Sequence, residues 1–422
     1  MEIALRKSMS KRTIVEVVAA FIGQNIPIIG SALRELIRSL VPTKPVEKSE
    51  ALKEIYKIIN SNKHKKIDVI TISACNYDAF LKVDKIAPNY ECEIQDKIFS
   101  DRCAGGSGAN TIAGLAKLGK KTAIVGCVNS DSAGREIIQS FENLLVDTQL
   151  LIQLDEPAYP PTGRAIVLVE NSGKRQILVS PGVNSHLDKI LREKGLLNVL
   201  IDKVKSSRIV HLSSFAGKDE MELQLRVLQN IIGSNTLVSL TPGALYVEKG
   251  LEQLTPILGA TNILFLYVEQ LEQLLEQSQL QKFRRNLTIE QKAELFFRWK
   301  ISKRMYHPML LVVKDNLRIK SHNICDNYIS VASSAGKSKG FFQHSNAAFK
   351  IEDCHSRIVL DSTGAGDAVA AGFLAGILEE ESIEKCADFG FVIATQVSRM
   401  LGARAGLLDR ETLNQEVKRL VN

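Results

Sequence analysis

Two short stretches combine small residues with a carboxylate or an amide in a way that could hold phosphate and move a proton. The first is Asp361-Ser-Thr-Gly-Ala-Gly-Asp367. Arg357–Leu360 before it reads as a strand and Ala368–Leu378 after it as a helix. Gly364, Ala365 and Gly366 therefore bring successive backbone N–H groups to a helix start, where unpaired donors and the helix dipole favour an anion. Asp367 falls in the first turn of that helix. Its carboxylate can cap the helix, or it can accept the proton of a hydroxyl whose oxygen attacks phosphorus. The residue types alone leave both roles open.

The second stretch is Ala104-Gly-Gly-Ser-Gly-Ala-Asn110, ahead of a helix that ends at Leu118-Gly119. Its adjacent glycines let backbone approach a ligand closely, and Asn110 offers a donor and acceptors to vicinal hydroxyls. Glycine pairs before helices are common, so this turn carries little on its own.

The elements that must position these turns follow a simple alternation. Short β-branched runs lie at Lys66–Ser73, Thr122–Val128, Arg164–Glu170, Arg175–Val179, Arg208–Leu212, Leu237–Leu240, Ile263–Leu266 and Met309–Lys314. Helix-patterned segments separate most of them: Ala109–Leu118, Gly134–Leu145, Met221–Ile232, Val268–Gln277, Ile289–Lys303, Ala368–Leu378 and Ile383–Leu401. The alternation predicts an α/β fold, a mostly parallel sheet covered by helices on both faces. The run pair at 164–179, with Asn171–Gly173 between, predicts a hairpin added to the main sheet.

In this order and about 255 residues apart, the two turns resemble the signatures of the PfkB, or ribokinase-like, family of carbohydrate and nucleoside kinases. The resemblance spans residues 66–422. Gly119 follows Asn110 at the spacing of the first signature, and Asp361–Asp367 is similar to the second. Asn76-Tyr-Asp78 is similar to the family's substrate-binding Asn-x-Asp, although both residues also suit a turn after a strand. Thr162–Val169 and Pro181–Asn184 resemble lid strands and the turn after them, and Gly402-Ala-Arg-Ala-Gly406 a loop beside the nucleotide or a plain helix end and turn.

The resemblance implies a ribokinase-like three-layer sandwich whose small β lid is built from about 75–100 and 155–180. It implies phosphoryl transfer from ATP to a sugar or nucleoside hydroxyl, with Mg²⁺ and room for a monovalent cation. Asp367 would be the general base and Gly364, Ala365 and Gly366 the anion hole. Asn76, Asp78, Gly105, Gly106 and Asn110 would hold the acceptor; Thr363, Gly402, Ala403 and Gly406 would border the nucleotide. Asn184 and the histidines read as structural or surface residues.

Three departures concern the donor side. Tyr267-Val-Glu-Gln270 stands where the family carries Asn-x-x-Glu, with Glu269 and Glu272 as nearby substitutes. Val313-Lys-Asp-Asn-Leu-Arg318 lacks the glycines of the nucleotide loop, and Ser321–Arg357 is long and polar. Alternatives to a sugar kinase are a nucleoside kinase of the same fold and a sugar-binding regulatory protein with degraded nucleotide segments.

Composition bounds the rest. The 422 residues are 45% hydrophobic and 24% charged, enough for a large core. Residues 1–65 hold 12 basic and 6 acidic side chains against 42 and 41 in the remainder, so +6 of the overall +7 sits in a head. A neutral body lacks the basic face nucleic-acid binding needs. The head carries apolar stripes at Ile14–Ile22 and Ile28–Leu40 and a shorter one at Leu52–Ile59, which predicts a basic amphipathic helical extension over 1–65. Its partner could be a membrane surface or a protein through residues 1–62, and a homodimer is open. The seven scattered cysteines contain no C-x-x-C pair, as in a reducing cytoplasm.

Overall fold

The computed structural model describes residues 49–86, 102–155, 157–170, 175–216, 220–278, 287–314, 329–334, 341–345 and 362–421. The chain divides into two units, Met1–Pro45 and Val46–Asn422. The first unit, with the stripes at 14–22 and 28–40, lies outside the described residues, as do 87–100 of the expected lid, 171–173, 315–328 and 346–361.

The β-branched runs build a nine-stranded sheet in the order β13-β12-β11-β10-β9-β8-β1-β4-β5. Its parallel part comprises β1 (Ile67–Ile72), β4 (Thr122–Asn129), β5 (Asp147–Leu154), β8 (Ser207–Ser213), β9 (Leu237–Thr241), β10 (Ile263–Tyr267) and β11 (Met309–Lys314). β12 (Ile329–Ser334) and β13 (Phe341–Ser345) add an antiparallel edge. Strands of this kind are apolar throughout because both faces are covered. In β11, Met309, Leu311 and Val313 join one core cluster, while Leu310 and Val312 join the other. That two-residue alternation between clusters makes three layers.

One face is covered by α1 (Glu50–Ser61), α2 (Ser107–Lys117), α3 (Ser132–Glu142), α11 (Ala365–Leu378), α12 (Ile383–Val397) and α13 (Arg410–Val421). The other carries α4 (Leu187–Glu193), α5 (Leu197–Lys205), α6 (Glu220–Asn230), α7 (Gly243–Val247), α8 (Gly250–Leu258), α9 (Val268–Gln277) and α10 (Ile289–Ser302). Several of these, α4, α5, α7, α8 and α13, are additions to the sequence reading.

Two expectations change. The hairpin of β6 (Gly163–Glu170) and β7 (Arg175–Ser180) is antiparallel as read, but it does not join the main sheet. It forms a second sheet, β3-β2-β6-β7, with β2 (Asn76–Val83) and β3 (Arg102–Gly105). β6 pairs in parallel with β2, from Asn76–Gly163 through Val83–Glu170, and antiparallel with β7, so both its edges are satisfied within the second sheet.

The boundary at residue 65 also moves. Ala51, Leu52, Ile55 and Ile59 of α1 are buried, and the last two are fully so within the core cluster of the body. Ser49 caps α1 by accepting from Leu52 N and pairs with Ser333 Oγ at 2.7 Å. Lys65 Nζ then reaches Ser207 O, Ser234 O and Thr236 Oγ1 within 3.0 Å. The spacing of α1 is that of a surface helix, and only tertiary contact reveals which surface it covers.

Candidate active site

Both glycine turns lie at the carboxyl end of the parallel strands, where open α/β sheets bind ligands. α11 begins at Ala365, three residues earlier than the sequence pattern suggests. Gly364 is its N-cap with φ of 80°, a left-handed conformation that glycine adopts without a Cβ penalty. Gly364 supplies no side-chain cap, so among the described residues the helix start lacks the usual capping oxygen for its first N–H groups. A Cβ on Gly364 would lie 2.5 Å from Ala403 Cβ, which sets the Gly402–Ala403 loop directly against the cradle. Thr363, just before it, is buried.

Asp367 sits in the first turn of α11 and is gripped from α2. Ser107 Oγ donates to its Oδ1 at 2.6 Å, and Asn110 Nδ2 donates to its Oδ2 at 3.0 Å. Thr111 Oγ1 reaches the Asp367 carbonyl at 3.4 Å. Burial raises the Asp367 carboxyl above its ordinary value, opposed by these hydrogen bonds and by the charges of Lys314 and Arg175. A partly desolvated carboxylate with oriented oxygens can receive a proton.

Asn76 and Asp78 leave the main sheet along β2. Asn184 supports that departure: its Oδ1 accepts from Cys75 N at 2.9 Å, and its Nδ2 donates to Cys75 O at 3.1 Å and to Asn76 Oδ1 at 3.0 Å. Asp78 is 5% exposed, and a Cβ on Gly105 would lie 2.0 Å from its Oδ2. Gly105 is therefore small because the carboxylate occupies that space. Gly106 has φ of 100° and lies against Ala74 O, closing the turn into α2.

Arg404 was not singled out by the sequence pattern. Its Nε donates to Asn110 Oδ1 at 2.9 Å, its guanidinium also reaches Ser140 Oγ and Gly105 O, and it stacks over the Phe141 ring at 4.7 Å. A guanidinium can only donate. It therefore selects the oxygen of Asn110 and leaves Nδ2 to Asp367. Ser107 could have been noticed as the hydroxyl inside the first glycine turn; Arg404 carried no signal beyond its place between Gly402 and Gly406.

Of the residues assigned to the nucleotide side, Gly402 and Ala403 adjoin the cradle. Gly406 packs elsewhere: a Cβ there would lie 2.4 Å from Gln396 O of α12, which makes its smallness a packing requirement. Of the two glutamates near Tyr267, Glu272 is ion-paired with Lys292, while Glu269 is exposed in the first turn of α9 and acts electrostatically on Tyr267. Among the described residues no group of three or more His, Cys, Asp or Glu could hold a metal. His211 is buried against Ser239 Oγ at 3.0 Å and held to about 3 by burial, so it is neutral at physiological pH.

A glycine turn at a helix start, a carboxylate beside it and a small β lid on a three-layer α/β body are the features with which the chain enters comparison with known proteins. The family model of the pfkB family carbohydrate kinases matches residues 66–296 and 330–410, and the chain belongs to that family. An uncharacterized sugar kinase of Archaeoglobus fulgidus is 29% identical over 295 residues, which cover 70% of this chain and 98% of that protein. A nucleoside kinase of Methanocaldococcus jannaschii is 24% identical across 85% of this chain and 97% of its own length. The solved structure of Arabidopsis thaliana ribokinase complexed with ribose and ATP superposes with a TM-score of 0.59 at 20% identity, covering 83% of this chain and 99% of that one. Among the described residues no helix is long and apolar enough to cross a membrane.

Proposed function

We propose that this kinase transfers the terminal phosphoryl group of ATP to a hydroxyl of a sugar or sugar-like molecule, with Asp367 as general base. The observation that carries the reading is the Asp367 carboxylate, held by Ser107 and Asn110 at the uncapped start of α11. The acceptor hydroxyl would give its proton to Asp367 as its oxygen attacks phosphorus. The amides around Gly364, Ala365 and Gly366 would stabilise the charge that develops on the phosphoryl oxygens. Asn76, Asp78, Gly105, Gly106 and Asn110 would hold the acceptor's hydroxyls, and Thr363, Gly402 and Ala403 would border the nucleotide. Mg²⁺ would arrive on the nucleotide phosphates. When bound, it supplies charge neutralisation there.

The similarity along 97% of the Methanocaldococcus nucleoside kinase keeps a nucleoside acceptor as the second reading. A coupled ADP-release assay over pentoses, hexoses and nucleosides tests both, with Asp367→Asn as control. The variant should lose on the order of 10²- to 10⁴-fold in kcat, the range for general-base catalysis, while calorimetry still detects acceptor binding. If a sugar bound but no compound gave turnover sensitive to Asp367→Asn, the protein would be a sugar-binding one instead.

A further inference from the structure

Lys314 is the last residue of β11 and stands beside Tyr267, its partner in the parallel register at the end of β10. It is 3% exposed, yet among the described residues it forms no ion pair. Among the described residues its Nζ has one hydrogen bond, a long one of 3.4 Å to Gly366 O, and it lies 4.4 Å from the centre of the Tyr267 ring. A Cβ on Gly366 would meet Tyr267 OH at 2.5 Å and Lys314 Nζ at 3.1 Å. An ammonium with three donors is thus buried against the first turn of α11, with one weak acceptor and a ring face to offset its lost hydration. A methionine would fill the same space without that cost. An anion that arrives with substrate would repay it.

We propose that Lys314 is a catalytic residue of phosphoryl transfer, its ammonium contacting the terminal phosphoryl group of the nucleotide at the start of α11. The inference rests on the kinase reading above and concerns the donor side, where the glycines of a nucleotide loop are missing from Val313–Arg318. Lys314 lies in that segment, but the residue pattern there assigns the lysine no role of its own. Burial holds the Lys314 amine down to about 8, opposed by the Asp367 charge. The other groups facing it are Tyr267, raised by burial and so neutral, His211, neutral, and the carboxylate of Asp367, with Arg175 of the lid acting on both Asp367 and Tyr267. At pH 8.5 Lys314 is close to its titration point. An arriving phosphate should then draw a proton onto it.

The test compares the full chain with Lys314→Met and Lys314→Arg. Lys314→Met should lower kcat by roughly 10²- to 10³-fold, as loss of one charge-stabilising donor does, with the acceptor KM within about twofold. Its calorimetric affinity for the non-hydrolysable analogue AMP-PCP should fall at least about tenfold and that for ADP should hold, because only AMP-PCP carries the terminal phosphate. Lys314→Arg should recover part of kcat. The ligand-free Met variant should melt no lower than the parent, since an unpaired buried charge has been removed. In the unmutated protein at pH 8.5, buffer-dependent enthalpies should reveal more proton uptake with AMP-PCP than with ADP.

Equal loss of AMP-PCP and ADP affinity, or a kcat within about threefold of the parent, would make Lys314 a structural support and overturn the proposal. So would a change confined to the acid limb of the pH profile, which would mean that Lys314 only tunes Asp367. If Lys314→Met does not fold, the proton-uptake comparison decides alone, and no excess uptake sinks the idea. Absence of turnover in the unmutated chain would instead remove the kinase reading.

Discussion

Asn110 stands between a guanidinium and a carboxylate, and its amide can satisfy both in one orientation only. Arg404 Nε takes the oxygen and Asp367 receives the NH₂. Rotating the amide would turn its oxygen toward the carboxylate, two acceptors face to face. Arg404 is thus a positioning residue that acts on Asp367 through Asn110. Arg404→Met should cost about 1.5–3 kcal/mol of transition-state stabilisation, the usual worth of a hydrogen bond to a charged group, which is roughly 10- to 100-fold in acceptor kcat/KM. Affinity for AMP-PCP should be unchanged, because Arg404 contacts the acceptor-side turn. Steady-state kinetics with the acceptor varied, beside calorimetry, checks both; an equal fall in nucleotide affinity would show general disruption of the site. Asp367, Asn110 and the glycines of the two turns stand out in sequence as candidates because each belongs to a local turn with a residue-type requirement. Arg404 and Lys314 do not, because their meaning comes from contacts such as Arg404 to Asn110, 294 residues apart in the chain.

At the level of helices and strands, α1 shows where local pattern ends. Its apolar stripe is legible, but a stripe says only that something covers it. That something is β9, β11 and β12, and Ile55 and Ile59 are fully buried there. A chain starting at Val46 should therefore keep its melting temperature and turnover, whereas one starting at Lys63 should lose soluble expression. Ile59→Ala should lower the unfolding free energy by about 2–5 kcal/mol, the range for large-to-small core changes, as read by urea denaturation. A loss below about 0.5 kcal/mol, the scale of surface substitutions, would place α1 outside the cooperative core. β11 was legible from first residue to last, since six apolar or β-compatible residues end in one lysine. β2 was not: Asn76 and Asp78 occupy its first turn into the lid and break the alternation. β12 is buried but rich in serine, so its sequence lacks the apolar signal that burial would predict.

The molecule as a whole couples a deep core to a thin one. The nine-stranded sheet has large apolar clusters on both faces, whereas the buried core of the lid is Phe80, Val167 and Val169, with Cys103 and Leu401 packed against it. Gln176–Ser180 of β7 are exposed, and among the described residues that strand pairs only with β6. Little apolar burial opposes local opening there, so β7 amides should exchange through sub-global openings, on the order of 10²-fold or more faster than those of β1, β8 and β10. The two sheets meet where the chemistry is: Asn184 ties Asn76 to the body, and Gly402 lies against Cys103 of the lid, next to the Gly364 cradle. Acceptor and AMP-PCP bound together should therefore slow exchange in β2, β6 and β7, with little change in the main sheet. Hydrogen exchange read by mass spectrometry on the full chain gives the answer directly. Equal protection of β7 and β8 without ligand would mean that the lid is as firmly held as the core, and closure could not then be what excludes water from the transfer step.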